Sequence, residues 1–312
     1  MSSQLSGPPR DLIGYGPSPP SFTWPNNAKL CLSFVLNYEE GGENSLANGD
    51  PGSETYLTEI GVSPSNISVP RRRRDVESGY EYGARCGVWR ILRLFEEFGW
   101  VFTCWAVGRA VELNPGVVRA MMEGGHEIAS HHYRWIDYSA LTEDQERDHV
   151  RKHLHAISAA GAPIPRGWYT GRFSSRSLAI VKEVYAEQGH DELLYSSDEY
   201  NDDLPYYTPH NDLIIPYTLD NNDMKFHCAP GFVTSSQFFE YLRDAFDALY
   251  AEGVAGRPKM MSVGLHCRIV GRAGRVGGLK RFMEYVSGKE GVWVAKREEI
   301  AEFWRREVPF EE

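Results

Sequence analysis

The sequence lacks any long apolar run: no stretch approaches the roughly 18 residues that a membrane-spanning helix needs. Residues 1–24 also lack the apolar centre of a secretion signal, so we expect a cytoplasmic protein. Basic charge is scarce, because 33 Lys and Arg stand against 43 Asp and Glu, and the formal net charge is −10. Nucleic acid is therefore not expected as the main partner, since phosphate binding requires a basic face.

Cysteine is sparse as well. The chain has five cysteines, an odd number, and no CxxC spacing. Most lie inside apolar runs, where a free cysteine packs as a small hydrophobe. This pattern excludes a disulfide scaffold and indicates a reducing compartment. The only basic cluster, Arg71 to Arg74, is interpreted as part of a solvated loop, with targeting or anion binding as the alternative.

Short apolar runs of the buried type alternate with helical patterns over most of the chain. This alternation predicts an α/β fold, a parallel sheet covered by helices, either open or closed into a barrel. The predicted strands are 30–36, 101–107, 127–129, 166–170, 193–196, 213–216, 260–265 and 292–295. The predicted helices are 88–98, 115–124, 143–160, 175–188, 235–252 and 276–287.

The chain divides into a short arm and one large domain. Residues 1–28 contain six prolines and predict an irregular arm, whereas residues 29–312 predict a single catalytic domain. Within that domain, residues 44–82 form a long polar segment, and a loop of that length in a compact domain is usually functional. The arm is also a candidate contact surface for homo-oligomers.

Polar clusters follow several predicted strands, at the end where β/α barrels carry their active sites. Asn37-Tyr38-Glu39-Glu40 follows the first strand, and Ser130-His131-His132 follows the third. Later strands are followed by Tyr169-Thr170-Gly171-Arg172, by Ser197-Asp198 and by His266-Cys267-Arg268. One such cluster is usually a turn, but their recurrence at one end of the sheet predicts a catalytic site.

The order of these motifs resembles the polysaccharide-deacetylase (NodB-type) superfamily. The matching segments are the acidic motif after the first strand, GHEIASH at 125–131 and GLHC at 264–267. The strings FVLNYEEGGE, GWYTGR, IPYTLDNNDM and GLHCRIVGR are similar to the PuuE-type allantoinases of urate degradation within that superfamily. The resemblance implies a deformed (β/α) barrel of the NodB homology type. It also implies hydrolysis of carbon–nitrogen bonds other than peptide bonds.

Two departures from the deacetylase pattern bear on metal binding. The acidic motif carries Asn37 and two glutamates in place of adjacent aspartates, and Trp135 stands where deacetylases have a second metal-binding histidine. Zinc needs three protein ligands plus water. Glu40 and His131, with His132 or His266, could supply them if a metal is bound. If the protein opens a small cyclic amide, which is the leading interpretation, no cofactor is required. If it deacetylates a glycan, which is the alternative, it uses a divalent metal, zinc.

Amide hydrolysis needs an activated water, oxyanion stabilisation and a proton for the leaving nitrogen. Glu39 or Glu40 is the candidate base, and their proximity is expected to raise the pKa of one of them. His266 is the candidate acid or oxyanion partner, and His131 would orient the base, bind substrate or hold a metal. The candidate substrate-binding residues are Trp135, Tyr169, Arg172, Asp198, Asp203, Tyr206 and Arg268.

Three functions remain open from the sequence. The leading hypothesis is ring opening of a small cyclic amide, allantoin to allantoate. The alternative is N-deacetylation of chitin or another N-acetylglucosamine glycan. A third possibility is a catalytically inactive carbohydrate-binding module, which would bind saccharide without turnover.

Overall fold

The computed structural model describes residues 10–60 and 72–311. Over these residues nine strands and nine α-helices alternate along most of the chain. The strands are β1 Leu30–Tyr38, β2 Thr103–Ala106, β3 Glu127–Ser130, β4 Gly167–Trp168, β5 Tyr195–Ser196, β6 Tyr206–Tyr207, β7 Leu213–Ile214, β8 Lys259–His266 and β9 Val292–Val294. The helices are α1 Arg74–Tyr82, α2 Val88–Phe98, α3 Gly108–Leu113, α4 Pro115–Glu123, α5 Glu143–Ala159, α6 Ser177–Glu187, α7 Ser235–Val254, α8 Ala273–Ser287 and α9 Arg297–Glu307. None of these helices is long and apolar enough to cross a bilayer.

The strands form one curled sheet in the order β6-β7-β5-β4-β3-β2-β1-β8, and β9 pairs with the start of β1. All described pairings are parallel except that of β6 with β7. Asn37, near the end of β1, lies opposite Trp105 of β2 and His266 of β8. The polar segments after these strands therefore meet at one end of the sheet. The expected deformed (β/α) barrel is confirmed.

Successive side chains of β1 point alternately into the barrel and toward the surrounding helices. Val35 packs inside the barrel against Trp105, Ala129, Tyr169 and Tyr217. The even-numbered apolar residues of β1 pack in the core beneath the helices, and these are Leu30, Leu32, Phe34, Leu36 and Tyr38. The same alternation continues past the end of the strand. It aims Glu39 into the barrel and Glu40 toward the helices.

Arg297, the first residue of α9, spans the gap between the two edges of the described sheet. Its Nη2 donates to the carbonyls of Ile215 (2.8 Å) and Pro216 (2.6 Å), just after β7. Its Nη1 donates to Ser262 Oγ on β8 over 3.0 Å. Because Arg297 is fully buried, these acceptors take the place of water around its guanidinium.

The structure contains three helices that the sequence pattern does not predict: α1, α3 and α9. Helix α1 lies inside the segment predicted as loop, because only Val76 and Tyr80 give it an apolar face. Arg72 and Arg74 are exposed and pair with Glu77 at its start, and of the described arginines only Arg74 lies within the helix. Helices α3 and α9 likewise lie where the sequence pattern predicts none. Residues 1–9 of the arm, Arg71 and the rest of 61–71 lie outside the described residues.

The described part of the arm packs on the body of the protein. Trp24 is 1% exposed, and its ring lies 5.0 Å from Phe303 and 5.8 Å from Trp304 of α9. Its indole nitrogen donates to the carbonyl of Lys259 over 3.0 Å. The end of the arm therefore contributes to the core at the amino end of the barrel.

The role of Arg297 can be tested by Arg297→Met. We expect a loss of about 3 kcal/mol in the free energy of unfolding, because the substitution leaves buried carbonyls without a donor. Urea denaturation measures this loss. Arg306→Met is the matched control, since Arg306 lies exposed on the same helix and should change stability by less than about 0.5 kcal/mol. Equal losses in the two variants would contradict the role given to Arg297.

Candidate active site

Four side chains from three strand ends meet inside the carboxyl end of the barrel. Glu39 Oε1 lies 3.2 Å from His131 Nε2 and 3.6 Å from His266 Nε2. Arg268 Nη1 donates to Glu39 Oε2 over 2.5 Å. All four residues are between 0% and 5% exposed, so the cluster is closed to solvent.

The charge of Glu39 is set by its neighbours. Burial alone would raise the pKa of Glu39, but Arg268, His266 and His131 together hold it well below its usual range. Glu39 is therefore an ionised carboxylate at every working pH. An isolated buried carboxylate would cost several kcal/mol, so the surrounding cations and donors are a condition for its presence.

His266 is held from behind by Asp223. Asp223 Oδ1 lies 2.6 Å from His266 Nδ1, and its Oδ2 accepts from the backbone amides of His266 and Val270. This contact places the proton on Nδ1 and directs Nε2 toward Glu39. Burial lowers the pKa of His266, but the charges of Asp223 and Glu39 outweigh it and raise the pKa above its ordinary value. The protonated imidazole is thus favoured, as a general acid requires.

Glu40 does not join this cluster. Its Oε2 accepts from the Glu39 amide over 3.0 Å, while its Oε1 has no partner among the described residues and lies against Gly83, where a Cβ would collide with it. Burial raises the pKa of Glu40 to about 7, with the Glu39 charge adding to the shift and Arg268 opposing it. The expected rise in the pKa of one glutamate therefore falls on Glu40, and burial contributes more to it than the neighbouring charge of Glu39. The prediction that Glu40 and His131 could bind the same metal ion is wrong, because the alternation of side chains along the strand turns the Glu40 carboxyl away from His131.

The adjacent histidines also point in opposite directions. His131 faces Glu39, and its Nδ1 has no partner among the described residues. His132 takes a left-handed backbone conformation (φ 59°) and packs its ring against Tyr138 at a centroid distance of 3.7 Å. Its Nδ1 accepts from the Tyr133 amide. The prediction that His132 could serve as a metal ligand is therefore wrong, since its ring lies in the core behind the site.

Trp135 lies between two guanidinium groups at the edge of the cluster. Arg172 stands 3.9 Å from the centroid of the Trp135 ring and Arg268 stands 5.0 Å from it. Arg172 is also paired with Glu54 over 3.2 Å. Both arginines keep a buried Nη2 that has no acceptor among the described residues. These nitrogens are available to carbonyl or carboxylate oxygens of a substrate.

Tyr169 and Asp198 shape the wall opposite β1. The Tyr169 ring stacks on Trp105 at 3.8 Å inside the barrel and lies 4.9 Å from the His131 ring. Asp198 accepts from the amides of Thr170 and Gly171, and burial raises its pKa to about 6. Asp198 therefore positions the loop that carries Arg172, and its carboxylate is occupied by backbone donors.

Two predicted substrate-binding residues lie elsewhere in the structure. The Tyr206 hydroxyl donates to Asn201, and the side chain lines a groove between the arm and the end of the chain. Asp203 lines a second groove beside β8, and its carbonyl accepts from Met260 near the start of that strand. The structure places neither residue with Glu39, because both follow β5 on the path to the β6–β7 hairpin.

The side chains of the cluster do not fit a zinc centre. Glu39 has one carboxylate oxygen on Arg268, so a cation already holds the position that a metal would use. Trp135, at the edge of the cluster beside Arg268, offers no metal ligand. No group of three His, Cys, Asp or Glu side chains arranged to hold a metal is found within residues 10–60 and 72–311.

Sequence reasoning missed three residues that complete the site: Asp223, Glu54 and Tyr80. Asp223 lies within the string IPYTLDNNDM that carried the family resemblance, but no strand or helix pattern marks it. It is placed by a short 3-10 turn, Asp223–Phe226, whose N-cap Asn222 accepts from Met224. Glu54 and Tyr80 lie in the long polar segment, which indicated function without showing which residues turn inward.

Comparison with known proteins agrees with this fold. The family model "Polysaccharide deacetylase" matches residues 68–191. A Schizosaccharomyces pombe protein named "Putative polysaccharide deacetylase" is 50% identical over 316 residues, covering 96% of this chain and 98% of that protein. The crystal structure of a "probable Polysaccharide deacetylase" from Pseudomonas aeruginosa PAO1 has a TM-score of 0.90 at 49% identity, covering 97% of this chain and 100% of that one. The crystal structure titled "Puue Allantoinase" also has a TM-score of 0.90, at 48% identity, covering 98% and 100%.

The deformed β/α barrel carries a carboxylate–histidine centre at its carboxyl end, and the named deacetylase and allantoinase relatives are hydrolases of carbon–nitrogen bonds other than peptide bonds. With half of its residues identical to a full-length relative, the chain belongs to the polysaccharide deacetylase family. This family includes both deacetylases and an allantoinase among its named members.

The raised pKa of Glu40 makes a prediction about stability. The folded pKa of about 7 exceeds the ordinary 4.5, so the folded state binds this proton more tightly and loses stability as pH rises from about 4.5 to 7. Glu40→Gln should remove that loss, which is roughly 3 kcal/mol for this shift. Urea unfolding at pH 5 and pH 8 measures it. Glu97→Gln, at an exposed ion pair, is the control. If Glu40→Gln keeps the pH dependence of the unmodified protein, the burial assigned to Glu40 is wrong.

Proposed function

We propose that this protein hydrolyses the amide bond of a small cyclic ureide and opens allantoin to allantoate. The observation that carries the proposal is the Glu39 carboxylate, ionised by Arg268 and set between His131 and the His266–Asp223 pair. The similarity to an allantoinase over the whole chain supports the choice of substrate.

We assign the two proton transfers of the reaction to two side chains. Glu39 removes a proton from a water molecule, whose oxygen adds to the ring carbonyl carbon. His266, protonated and oriented by Asp223, gives its proton to the ring nitrogen as the carbon–nitrogen bond breaks. The products are a carboxylic acid, which loses its proton to solvent and becomes the carboxylate, and an open-chain ureido group. The proton held by Glu39 returns to His266 and restores the starting state. His131 Nε2, 3.2 Å from Glu39 Oε1, keeps the base in position.

Arg268 and Arg172 suit a substrate with several carbonyl groups. The unpaired Nη2 of Arg268 is adjacent to Glu39, and we assign it to the oxygen that becomes negative in the tetrahedral intermediate. The unpaired Nη2 of Arg172 is held across the Trp135 ring and is assigned to a second carbonyl of the ureide. A diureide presents such oxygens at both ends.

The closed site favours a small ring over a glycan chain. Every member of the cluster is at most 5% exposed, whereas a polymer requires an open groove that its neighbouring sugars can occupy. The family name and the relatives named as deacetylases favour the second candidate, N-deacetylation of an N-acetylglucosamine glycan. No metal takes part in the proposed reaction, because the side chains present do not form a zinc site.

The assignment of the base is tested by comparing Glu39→Gln with Glu40→Gln on allantoin. We expect Glu39→Gln to lose at least about 100-fold in kcat, since it removes the general base, and Glu40→Gln to stay within about tenfold. Release of allantoate measures both. Acetate release from a chitooligosaccharide by the unmodified protein would replace this function with the second candidate. Saccharide binding without any turnover would indicate a binding module.

The pairing of Asp223 with His266 predicts a change in pH dependence. Asp223 raises the pKa of His266, so Asp223→Asn should lower that pKa. Because the reaction needs the protonated imidazole, the alkaline limb of kcat/KM should move to lower pH, and the maximum should fall. A lower maximum with an unmoved limb would show that Asp223 does not act through His266.

Homo-oligomer formation stays a prediction, and light scattering of the purified protein decides it.

A further inference from the structure

The active site is covered by the segment Glu54–Ile60, here called the roof. The Tyr56 ring stacks over Trp135 at a centroid distance of 6.1 Å and an interplanar angle of 18°. The carbonyl of Leu57 accepts from Arg268 Nε over 3.5 Å, and Leu57 itself is only 6% exposed. The roof thus contacts both Trp135 and Arg268, the cation that pairs with Glu39.

Glu39 is closed off beneath the roof. A cavity of about 20 Å³, room for one water molecule, is lined by Leu57, Ile60, Tyr80 and Arg268, but Glu39 does not line it. Because Glu39 has no exposed surface and His131 is only 1% exposed, a cyclic ureide can reach Glu39 only after some part of the surrounding structure moves.

The contacts of the roof differ in strength between its inner and outer sides. On the inside, the Leu57 carbonyl makes a long hydrogen bond, and Leu57 takes a left-handed backbone conformation (φ 49°) that non-glycine residues adopt with strain. On the outside, Glu59 Oε1 lies 2.6 Å from Arg275 Nη1 and 3.3 Å from His227 Nε2. Arg275 also donates from Nη2 to the second oxygen of Glu59 over 3.0 Å.

The two ends of the roof are attached differently. At the start, the Glu54 carboxylate accepts from the Tyr56 amide, Asn44 and Arg172, so this end is fixed within the site. Toward the other end, Glu59 is partly exposed and is held by the side chains of Arg275 and His227. Loss of the Glu59 contacts would free Leu57 and Tyr56 while leaving Glu54 in place.

We propose that Glu54–Ile60 is a hinged roof that opens to admit substrate and that Glu59 is its latch. Glu59 is a positioning residue: it acts through Leu57 and Tyr56, which cover Arg268 and Trp135. Closure shields Glu39 and the one reacting water molecule from bulk solvent and limits the substrate to a small molecule. The inference rests on the proposed function only in placing the reaction at Glu39, His131 and His266.

The test breaks the latch from each side with Glu59→Gln and Arg275→Gln. Two quantities are measured: the amide hydrogen exchange of a peptide spanning 53–60, and acrylamide quenching of Trp135. The Trp135 signal is the difference between each protein and the same protein carrying Trp135→Phe. Glu97→Gln is the matched control, since Glu97 forms an equally short exposed ion pair with Lys280 on α8.

We expect both latch variants to raise the exchange rate of 53–60 and the quenching of Trp135 about fivefold, with exchange in β1 unchanged. Glu97→Gln should change neither quantity. Unchanged exchange and quenching in both latch variants would overturn the proposal, as would an equal rise in Glu97→Gln. If Trp135→Phe does not fold, the exchange measurement decides alone. Neither readout uses a substrate, so a failure of allantoin turnover is distinguishable from a failure of the latch.

Discussion

Glu39 is a carboxylate with no exposed surface, and its charge exists only because Arg268 and two histidines compensate for lost water. The rest of the site depends on this balance. Arg268 must be buried to reach Glu39, so the roof must cover it, and Asp223 must hold His266 so that one ring nitrogen faces the base. The compensating cation also takes the oxygen that a metal would need. One electrostatic requirement therefore accounts for both the closed site and the use of protein groups alone in the proposed reaction.

The barrel supplies this cluster through strand alternation. Interior positions of β1 run from Val35 through Asn37 to Glu39, and they end at the carboxyl edge where β3 and β8 deliver His131 and His266. Arg297 connects the ends of β7 and β8 across the gap in the sheet. The alternation of side chains that fills the barrel core therefore also leaves little open space around Glu39. A site with little open space fits a small ring better than a glycan chain.

Much of the fold could be predicted from the sequence because its signals are local. The predicted strand 30–36 and the predicted helices 88–98 and 143–160 lie where the pattern placed them. The polar clusters after the strands contained Glu39, His131, His266 and Arg268, but they did not separate these four from Glu40 or from the other candidates. Alternation along β1 could have chosen Glu39 over Glu40 as the inward carboxylate. The positions of Asp203 and Tyr206, the turn at Asp223 and the burial of Arg297 depend on contacts between distant segments, which no local pattern records.

The central claim is that protein side chains around Glu39 open a cyclic amide without a resident metal. The most direct test counts metal and turnover in the same sample. The protein is dialysed exhaustively against a chelator, its metal content is measured by mass spectrometry, and allantoin hydrolysis is followed at once. The account predicts unchanged kcat per chain with far less than one metal ion per chain. Activity that falls in proportion to metal content and returns with added zinc would contradict it.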